Sequence, residues 1–218
     1  MIPYGRQDIS KEDINAVVKV LKSDYLTQGP VTPLFEEEVK KYCGVKFSFA
    51  FNSATSALHA ACFSLGLRKG DYVWTSANTF AASANCALYC GAKIDFIDID
   101  PDTYNLCVNS LKKKLVQAKK DGKLPKVVIP VHLAGQSCKM KDIYSLSKKY
   151  KFKIIEDASH AIGGKYLSEK IGGCKYSDIT VFSFHPVKII TTGEGGIATT
   201  NDKKIAEKLD MFRTHGIT

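Results

Sequence analysis

The spacing of apolar residues predicts two amphipathic helices at the start of the chain. Ser10 is a favourable N-cap, and the helix that follows it is expected to end near Ser23. Its apolar positions recur with the period of a helix: Ile14, Val17, Val18 and Leu21. After a loop over residues 24–30, Thr32 is predicted to cap a second helix with Pro33 in its first position. Its inward side chains would be Leu34, Phe35, Val39 and Tyr42.

From residue 47 onward the pattern changes, and short β-rich runs alternate with helical ones. Strands are predicted at 47–51, 72–75, 94–97, 127–131, 154–155, 180–183 and 197–200. Helices are predicted at 54–65, 80–90, 110–119 and 141–150. Apolar strands separated by helices indicate an α/β fold with a mainly parallel central sheet and helices on both faces. Ligands in such folds bind beyond the carboxyl ends of the strands, so the residues there deserve inspection first.

Composition narrows the class of protein. The chain has 218 residues, of which 44% are hydrophobic and 24% charged, which excludes disordered and collagen-like proteins. The net charge of +9 raises the possibility of nucleic-acid binding. Against it, all but three of the 31 basic residues are lysines dispersed along the chain, whereas arginine is suited to bidentate recognition of bases and phosphates. We therefore expect no nucleic-acid partner.

Several sequence features indicate a cytoplasmic protein. The N-terminus has no apolar signal core, and no run reaches the roughly 18 apolar residues that a membrane span needs. The seven cysteines are odd in number and form no Cys-x-x-Cys pair, as expected of reduced thiols. Cys86 and Cys90 share a helical face, but no histidine or further cysteine lies at zinc spacing. We expect no membrane partner and no metal site.

The first candidate site residues follow the first predicted strand. Residues 52–58, Asn-Ser-Ala-Thr-Ser-Ala-Leu, are small and hydroxylic and lead directly into a helix. The free N–H groups at such a helix start can bind phosphate, although Ser53 or Thr55 could instead serve only as a cap. No Gly-x-Gly-x-x-Gly or P-loop pattern occurs, which removes the main support for a dinucleotide or P-loop site.

Two later segments add a carboxylate and an amine. Asp157 leaves an apolar strand, where a carboxylate is costly to bury unless it meets a cation or several donors; alternatively it caps the next turn. Lys188 stands five residues after Ser183 in an otherwise apolar stretch, and a lysine shielded from water becomes a usable amine nucleophile. A phosphate anchor, a carboxylate for the pyridine nitrogen and a lysine for the aldehyde together fit pyridoxal phosphate.

The chain resembles the DegT/DnrJ/EryC1/StrS sugar aminotransferases. The resemblance runs from Tyr4 to the last residue and rests on several motifs in the expected order. They are Leu-Thr-Gln-Gly-Pro at 26–30, Phe-Asn-Ser-Ala-Thr-Ser-Ala at 51–57, Pro-Val-His-Leu-Ala-Gly at 130–135, Glu-Asp-Ala-Ser-His-Ala at 156–161, Ser-Phe-His-Pro-Val-Lys at 183–188, Glu-Gly-Gly at 194–196 and Phe-Arg-Thr-His-Gly at 212–216. The resemblance implies the large domain of a fold-type I enzyme that uses pyridoxal 5'-phosphate.

The resemblance also implies roles for individual residues. Lys188 would form the Schiff base with the cofactor and shuttle a proton between the amino donor and the cofactor. Asp157 would pair with the pyridinium nitrogen, and Phe80, which could otherwise be an ordinary core aromatic, would stack on the ring. Ala54 and Thr55 would hold the phosphate through backbone N–H groups, assisted by the Ser183 hydroxyl.

Other roles concern the surroundings of the cofactor. His160 stands where many relatives place a glutamine beside the cofactor's 3-hydroxyl, and its Ser-His-Ala context is typical of the pseudaminic acid branch. His185 could either touch the substrate or brace the lysine loop. The residues expected to line the sugar site are Tyr4, Asp24, Tyr25, Leu26, Thr27, Ala54 and Ser183.

The resemblance implies partners and a domain organisation as well. Residues 1–30 would form an N-terminal helix and substrate-lining arm and residues 31–218 the cofactor-binding large domain, with the family's C-terminal small domain absent from this chain. The expected substrates are L-glutamate and a UDP-4-keto-6-deoxy-N-acetylhexosamine, aminated at C4 by a homodimer with shared active sites. The alternatives are a dTDP-4-keto or 3-keto sugar as substrate, and a truncated, non-catalytic binding module of the same fold.

Overall fold

The computed structural model describes residues 5–217, in which a seven-stranded sheet is covered by helices on both faces. The strands of this sheet are β1 (Phe47–Phe51), β2 (Tyr72–Ser76), β3 (Lys93–Ile97), β4 (Val127–Ile129), β5 (Lys153–Asp157), β8 (Ile179–Ser183) and β9 (Gly196–Thr200). A separate two-stranded sheet pairs β6 (Lys165–Tyr166) with β7 (Glu169–Lys170). The helices are α1 (Lys11–Leu21), α2 (Val31–Cys43), α3 (Ala54–Ser64), α4 (Ala82–Tyr89), α5 (Val108–Lys120), α6 (Met140–Tyr150) and α7 (Lys203–Arg213).

The order of strands in the large sheet is β1-β9-β8-β5-β4-β2-β3. Strand β9 runs antiparallel to both of its neighbours, and the pairs from β8 to β3 are parallel. Six strands therefore end at the same edge, where Gly196 at the start of β9 lies between Phe51 and Ser183. The predicted α/β class, with a mainly parallel sheet, is confirmed.

The two faces of the sheet are covered by different helices. Side chains such as Ile155 and Val181 pack in one core with α3, α4 and α7. Alternate positions, among them Ile154 and Trp74, pack with α5 and α6, and α2 covers Phe182 on that same face. Strands β4 and β8 are buried along their whole lengths. Strand β4 is therefore apolar throughout, and β8 is apolar except for the buried hydroxyl residues Thr180 and Ser183.

Several predicted element boundaries moved by one or two residues in the structure. Strand β4 ends at Ile129 rather than at residue 131, since Pro130 has no N–H to donate to a sheet ladder. Strand β5 is longer than predicted and reaches Asp157, and α4 begins at Ala82 rather than at Phe80. The β6–β7 pair and α7 were absent from the prediction; Asp202 caps α7 by accepting from two backbone N–H groups.

The predicted start of α2 was wrong. The helix begins at Val31, and Thr32 lies inside it rather than at its cap. Pro30 already has helical dihedral angles (φ −70°, ψ −17°) and starts the turn without a side-chain cap. Two of the side chains predicted to face inward, Leu34 and Tyr42, are exposed, whereas Val39 is buried and Phe35 packs edge-on against Phe184.

Helix α1 forms as predicted, but its apolar face is uncovered. Ser10 and Asp13 complete a capping box at its start, and the helix ends at Leu21, two residues before the predicted end. No residue of α1 is buried, and the four side chains of the predicted apolar face are 37–62% exposed: Ile14, Val17, Val18 and Leu21. Exposed apolar faces of this kind are typical of interaction surfaces.

All seven cysteines lie in the described part of the chain as free thiols, which agrees with the prediction of reduced cysteines. Across residues 5–217 no helix combines the length and the apolar character that a membrane crossing requires.

Candidate active site

A cavity of about 620 Å³ opens at the edge of the sheet where the six strands end. The segments that follow β1, β2, β4, β5 and β8 all contribute to its wall, as expected for a parallel sheet. The wall contains every residue that the sequence assigned to cofactor binding: Ala54, Thr55, Phe80, Asp157, His160, Ser183 and Lys188.

One wall of the cavity is the N-terminus of α3. Ser53 is its N-cap, and the Ser53 hydroxyl accepts a hydrogen bond from the N–H of Ser56. The N–H groups of Ala54 and Thr55 belong to the first turn and have no partner within the helix. Both proposed roles of this segment are compatible, since Ser53 caps the helix while the next two residues present N–H groups to the cavity.

Gly196 allows the α3 N-terminus to lie so close to the sheet. A Cβ atom added at this position would be 2.5 Å from the carbonyl oxygen of Ser53 and would also overlap the amide nitrogen of Ala54. These are backbone atoms, which cannot rotate away. The lack of a side chain at Gly196 therefore lets the first turn of α3 lie against β9, which positions the free N–H groups of Ala54 and Thr55.

Asp157 ends β5 and has a carboxylate that is buried at the cavity wall, with the residue only 3% exposed. Ser83 of α4 donates to Oδ2 at 2.6 Å, while the hydroxyl and the N–H of Ser159 donate to Oδ1 at 2.6 and 3.1 Å. The sequence left open whether this carboxylate is held by donors or shapes the next turn. It does both, because the bonds to Ser159 close a turn and the bond to Ser83 crosses to another helix.

Lys188 lies on the loop between β8 and β9 and is half-buried. Its Nζ atom is 2.9 Å from Nε2 of His160. Burial lowers the pKa of Lys188 below the usual 10.5, although the nearby carboxylate of Asp157 opposes that effect. Burial also lowers the pKa of His160, and a positive charge on Lys188, when that amine is protonated, would lower it further. A shielded lysine with a lowered pKa has the environment that an amine nucleophile needs.

Three other predicted side chains line the cavity with different degrees of exposure. Phe80 is 76% exposed, so the alternative of ordinary core packing is wrong, and its ring is available to a ligand in the cavity. Ser183 is buried at the end of β8, next to the loop that carries Lys188. His185 lines the cavity and also braces the loop, since its Nδ1 accepts from the N–H of Val187 at 3.3 Å.

Sequence reasoning missed a buried polar pair beneath the cavity. Glu156 points to the opposite face of the sheet from Asp157, and His132 contacts its Oε2 through Nε2 at 2.7 Å. Burial alone would raise the pKa of Glu156, but hydrogen bonds from His132, Ser177 and Thr180 lower it below its ordinary value. The adjacent acidic residues at the end of an apolar strand were the available signal, because alternation sends one to each face.

The segment expected to line the sugar site does not reach this cavity. Asp24, Tyr25, Leu26 and Thr27 are exposed and take no part in its wall. Tyr4 falls outside the described residues. The substrate-lining role of residues 24–27 remains a prediction that needs a surface beyond the cavity wall.

The comparisons with known proteins agree with this geometry. Residues 7–218 match the model of the DegT/DnrJ/EryC1/StrS aminotransferase family, and the chain belongs to that family. It is 44% identical over 217 residues to the UDP-4-amino-4,6-dideoxy-N-acetyl-beta-L-altrosamine transaminase of Campylobacter jejuni subsp. jejuni serotype O:23/36 (strain 81-176), covering 100% of this chain and 56% of the relative. The chain thus spans about half the length of the curated relatives that it matches.

Solved structures show the same fold. PseC of Helicobacter pylori, described as an aminotransferase of pseudoaminic acid biosynthesis, has a TM-score of 0.90 and 36% identity, covering 99% of this chain and 56% of that one. Spr1654 of Streptococcus pneumoniae in its PLP-form has a TM-score of 0.89 and 30% identity, covering 100% and 59%. The fold is therefore that of the large domain of fold-type I transferases, and pyridoxal phosphate is the cofactor that family and neighbours indicate.

The residues of the cavity fit this cofactor. The cofactor carries a phosphate, a pyridine nitrogen and an aldehyde, which call for an anion site, a carboxylate and an amine. The cavity offers the free N–H groups of α3, the buried carboxylate of Asp157 and the half-buried amine of Lys188. Asp157 takes its hydrogen bonds from hydroxyl and N–H groups, so within the described residues no cation is bonded to this carboxylate, which leaves it able to pair with a protonated ring nitrogen.

Proposed function

We propose that this chain is the catalytic large domain of a pyridoxal phosphate-dependent aminotransferase that acts on nucleotide sugars. The observation that carries the proposal is the meeting of Lys188, Asp157 and the N-terminus of α3 in one cavity. These groups come from three different strand ends, and the three chemistries match the three ends of one cofactor. An ordinary surface lysine would have neither the shielded position nor a carboxylate nearby.

Different residues of the cavity would bind different parts of the cofactor. The N–H groups of Ala54 and Thr55, assisted by the Ser183 hydroxyl, hold the phosphate at the positive end of the α3 dipole. Asp157, whose orientation is fixed by the hydrogen bond from Ser83, would accept a hydrogen bond from the pyridine nitrogen and keep that nitrogen protonated. Phe80 covers the ring and excludes water from one side.

Lys188 would carry out the proton chemistry. When bound, the cofactor supplies an electron sink that stabilises negative charge at the reacting carbon. The lowered pKa of Lys188 favours a neutral amine, which is able both to attack an aldehyde and to accept a proton. As general base and then general acid, Nζ of Lys188 would take a proton from the carbon that carries the donor's amino group and deliver it to a carbon of the cofactor. His160 lies within hydrogen-bond distance of Nζ.

The proposed substrates are L-glutamate as amino donor and a UDP-4-keto-6-deoxy-N-acetylhexosamine, aminated at C4. The name of the Campylobacter relative supports this choice, since that protein is an altrosamine transaminase with 44% identity along the whole chain. The Ser-His-Ala sequence around His160 supports the same branch. Amination of a sugar linked to a different nucleotide, or of a 3-keto sugar, would change the proposed substrate but not the proposed reaction.

The proposed assembly is a homodimer with shared active sites. The exposed apolar face of α1, together with the exposed side chains of Tyr25 and Leu26, supports it because such a surface is costly to leave in water. In this arrangement residues 1–30 form the N-terminal helix and substrate-lining arm, and residues 31–218 form the cofactor-binding domain. Light scattering of the purified chain, alone and with pyridoxal phosphate, measures the mass of the assembly.

A panel of nucleotide-linked keto sugars tests the reaction itself. The purified protein is incubated with pyridoxal phosphate, glutamate and each of UDP- and dTDP-linked 4-keto and 3-keto sugars, and amino sugar formation is followed. We expect amination of the UDP-4-keto sugar, lost in Lys188→Ala and kept in Lys165→Ala, a control at an exposed lysine of β6. Amination of no keto sugar by a protein that binds the cofactor would contradict the proposal.

A further inference from the structure

The turn that follows β4 contacts the histidine beside Lys188. Residues Leu133–Gly135 form a single 3₁₀ turn, in which Ala134 has a left-handed backbone (φ 52°, ψ 24°). That conformation is uncommon for a residue with a side chain and costs on the order of 1 kcal/mol or more. It aims the Ala134 N–H at the imidazole of His160, where it donates to Nδ1 at 3.3 Å.

This turn is held from both sides by buried polar side chains. Asn105 accepts from the N–H of Leu133 at 3.1 Å and donates to the carbonyl of Gln136 at 2.9 Å. The backbone N–H of Cys138 donates to Nδ1 of His132 at 3.2 Å. Both Asn105 and His132 are buried, so the bonds that set the path of the turn are shielded from competing water.

Gly135 brings the turn close enough to reach the histidine. It has φ +89°, and a Cβ atom added to it would be 2.9 Å from the carbonyl oxygen of His160. A side chain at this position would therefore both strain the backbone and push the turn away from His160. The close approach of the turn to His160 therefore depends on the glycine at position 135.

The hydrogen bond from Ala134 decides where the imidazole carries its proton. A nitrogen that accepts from an N–H group cannot itself hold a proton, so Nδ1 of His160 is unprotonated and the neutral ring carries its proton on Nε2. Nε2 is the atom 2.9 Å from Nζ of Lys188. A ring N–H at that distance needs an acceptor, and the lysine provides one only as a neutral amine with a free lone pair.

We propose that the Leu133–Gly135 turn is a positioning element that locks His160 as the Nε2–H tautomer, so that the ring donates to the unprotonated amine of Lys188. The turn acts through His160 and touches no reacting atom. The contribution of the turn to catalysis rests on the proposed function, in which the amine of Lys188 must point into the cavity. The position of the ring proton does not depend on that function.

The tautomer is measured directly by long-range ¹H–¹⁵N NMR of the chain without cofactor. The chain has five histidines, and the His160 signals are assigned by their loss in His160→Gln. We expect a protonated Nε2 and an unprotonated Nδ1 for His160. A protonated Nδ1, or an even mixture of the two tautomers, overturns the proposal without reference to any variant.

Two glycine variants test whether the turn sets the tautomer. In Gly135→Ala the added Cβ displaces the Ala134 N–H, and we expect the Nδ1–H form of His160 to appear. Gly122→Ala is the matched control, since Gly122 also has a positive φ of 66° but its added Cβ would have no heavy atom within 4 Å. An unchanged tautomer in a folded Gly135→Ala protein, or the same change in Gly122→Ala, contradicts the role of the turn.

A chemical readout links the tautomer to Lys188. The rate at which a small acylating reagent labels Lys188 in the cofactor-free chain, followed by mass spectrometry, reports the neutral amine. We expect the labelling midpoint to move to higher pH in His160→Leu and to remain near the native one in His160→Gln, whose amide can still donate. A native midpoint in His160→Leu contradicts the proposal. Failure of the proposed function alone would leave the tautomer and midpoint as expected but abolish cofactor linkage to Lys188.

Discussion

Replacing Gly196 with alanine tests whether the approach of α3 to the sheet creates the anion site. The added Cβ would be 2.5 Å from the carbonyl oxygen of Ser53, where ordinary contacts begin at 3.4 Å. The first turn of α3 must therefore move by about 1 Å, and overpacking of this kind costs about 1–3 kcal/mol of unfolding free energy. The movement lengthens the hydrogen bonds from Ala54 and Thr55 to a phosphate.

The expected loss of affinity follows from those bonds. A hydrogen bond to a charged group contributes about 1.5–3 kcal/mol, so losing one weakens pyridoxal phosphate binding by about 10- to 150-fold. Spectroscopic titration measures the affinity, and urea unfolding measures the stability. Gly195→Ala is the comparison, because its added Cβ overlaps only the rotatable side chain of Thr192, and we expect a smaller effect on both. A native affinity in Gly196→Ala would refute the anion site.

Two further predictions concern charged groups. Glu156→Gln removes a buried carboxylate that accepts from His132 and Thr180, and should cost about 1–3 kcal/mol of unfolding free energy at pH 7. Folding lowers the pKa of Glu156, so the stabilisation by its carboxylate is present above the ordinary pKa of 4.5 and is lost as the pH falls through the lower folded value. The unfolding free energies of the native protein and Glu156→Gln, measured in urea, should therefore converge in acid. A difference that does not depend on pH would contradict this. For Lys188, acylation rates against pH should give a midpoint below 10.5, and Asp157→Asn should move it lower still, since that carboxylate opposes the shift. A midpoint at 10.5 would contradict the effect of burial on this amine, and an upward shift in Asp157→Asn would contradict the opposing effect of the carboxylate.

The sequence predicts the cavity edge well because strand ends are local features. Runs of apolar residues predicted the first strand of the large sheet at both ends, and the other six strands to within two residues at each end. Since the carboxyl ends of parallel strands meet at one edge, residues as distant as Ala54, Asp157 and Lys188 were expected together, and the structure places all three in one cavity.

The hydrogen bonds that orient the site residues could not be predicted from the sequence, because they join residues far apart along the chain. Ser83 donates to Asp157 across 74 positions, and nothing in a helix of small residues such as α4 distinguishes that serine. The turn at Ala134 depends on Asn105, which approaches it only through the tertiary fold. These side chains orient the functional groups without belonging to any local motif.

Amphipathic periodicity also has a limit that α1 and α2 illustrate. The pattern correctly predicted helix α1 but not what its apolar face contacts, and that face is exposed in the described chain. In α2 the pattern placed Leu34 inward although it is exposed. Periodicity reports which side of a helix is apolar, whereas burial also requires a surface to cover it.

The most direct test of the central claim is to identify the lysine that binds the cofactor. The purified protein is saturated with pyridoxal phosphate, reduced with borohydride to fix the bond, digested, and mapped by mass spectrometry. The account predicts one phosphopyridoxyl group on Lys188, and loss of the visible absorbance of the bound cofactor in Lys188→Ala. Specific labelling at another lysine, with Lys188 unmodified, would contradict it.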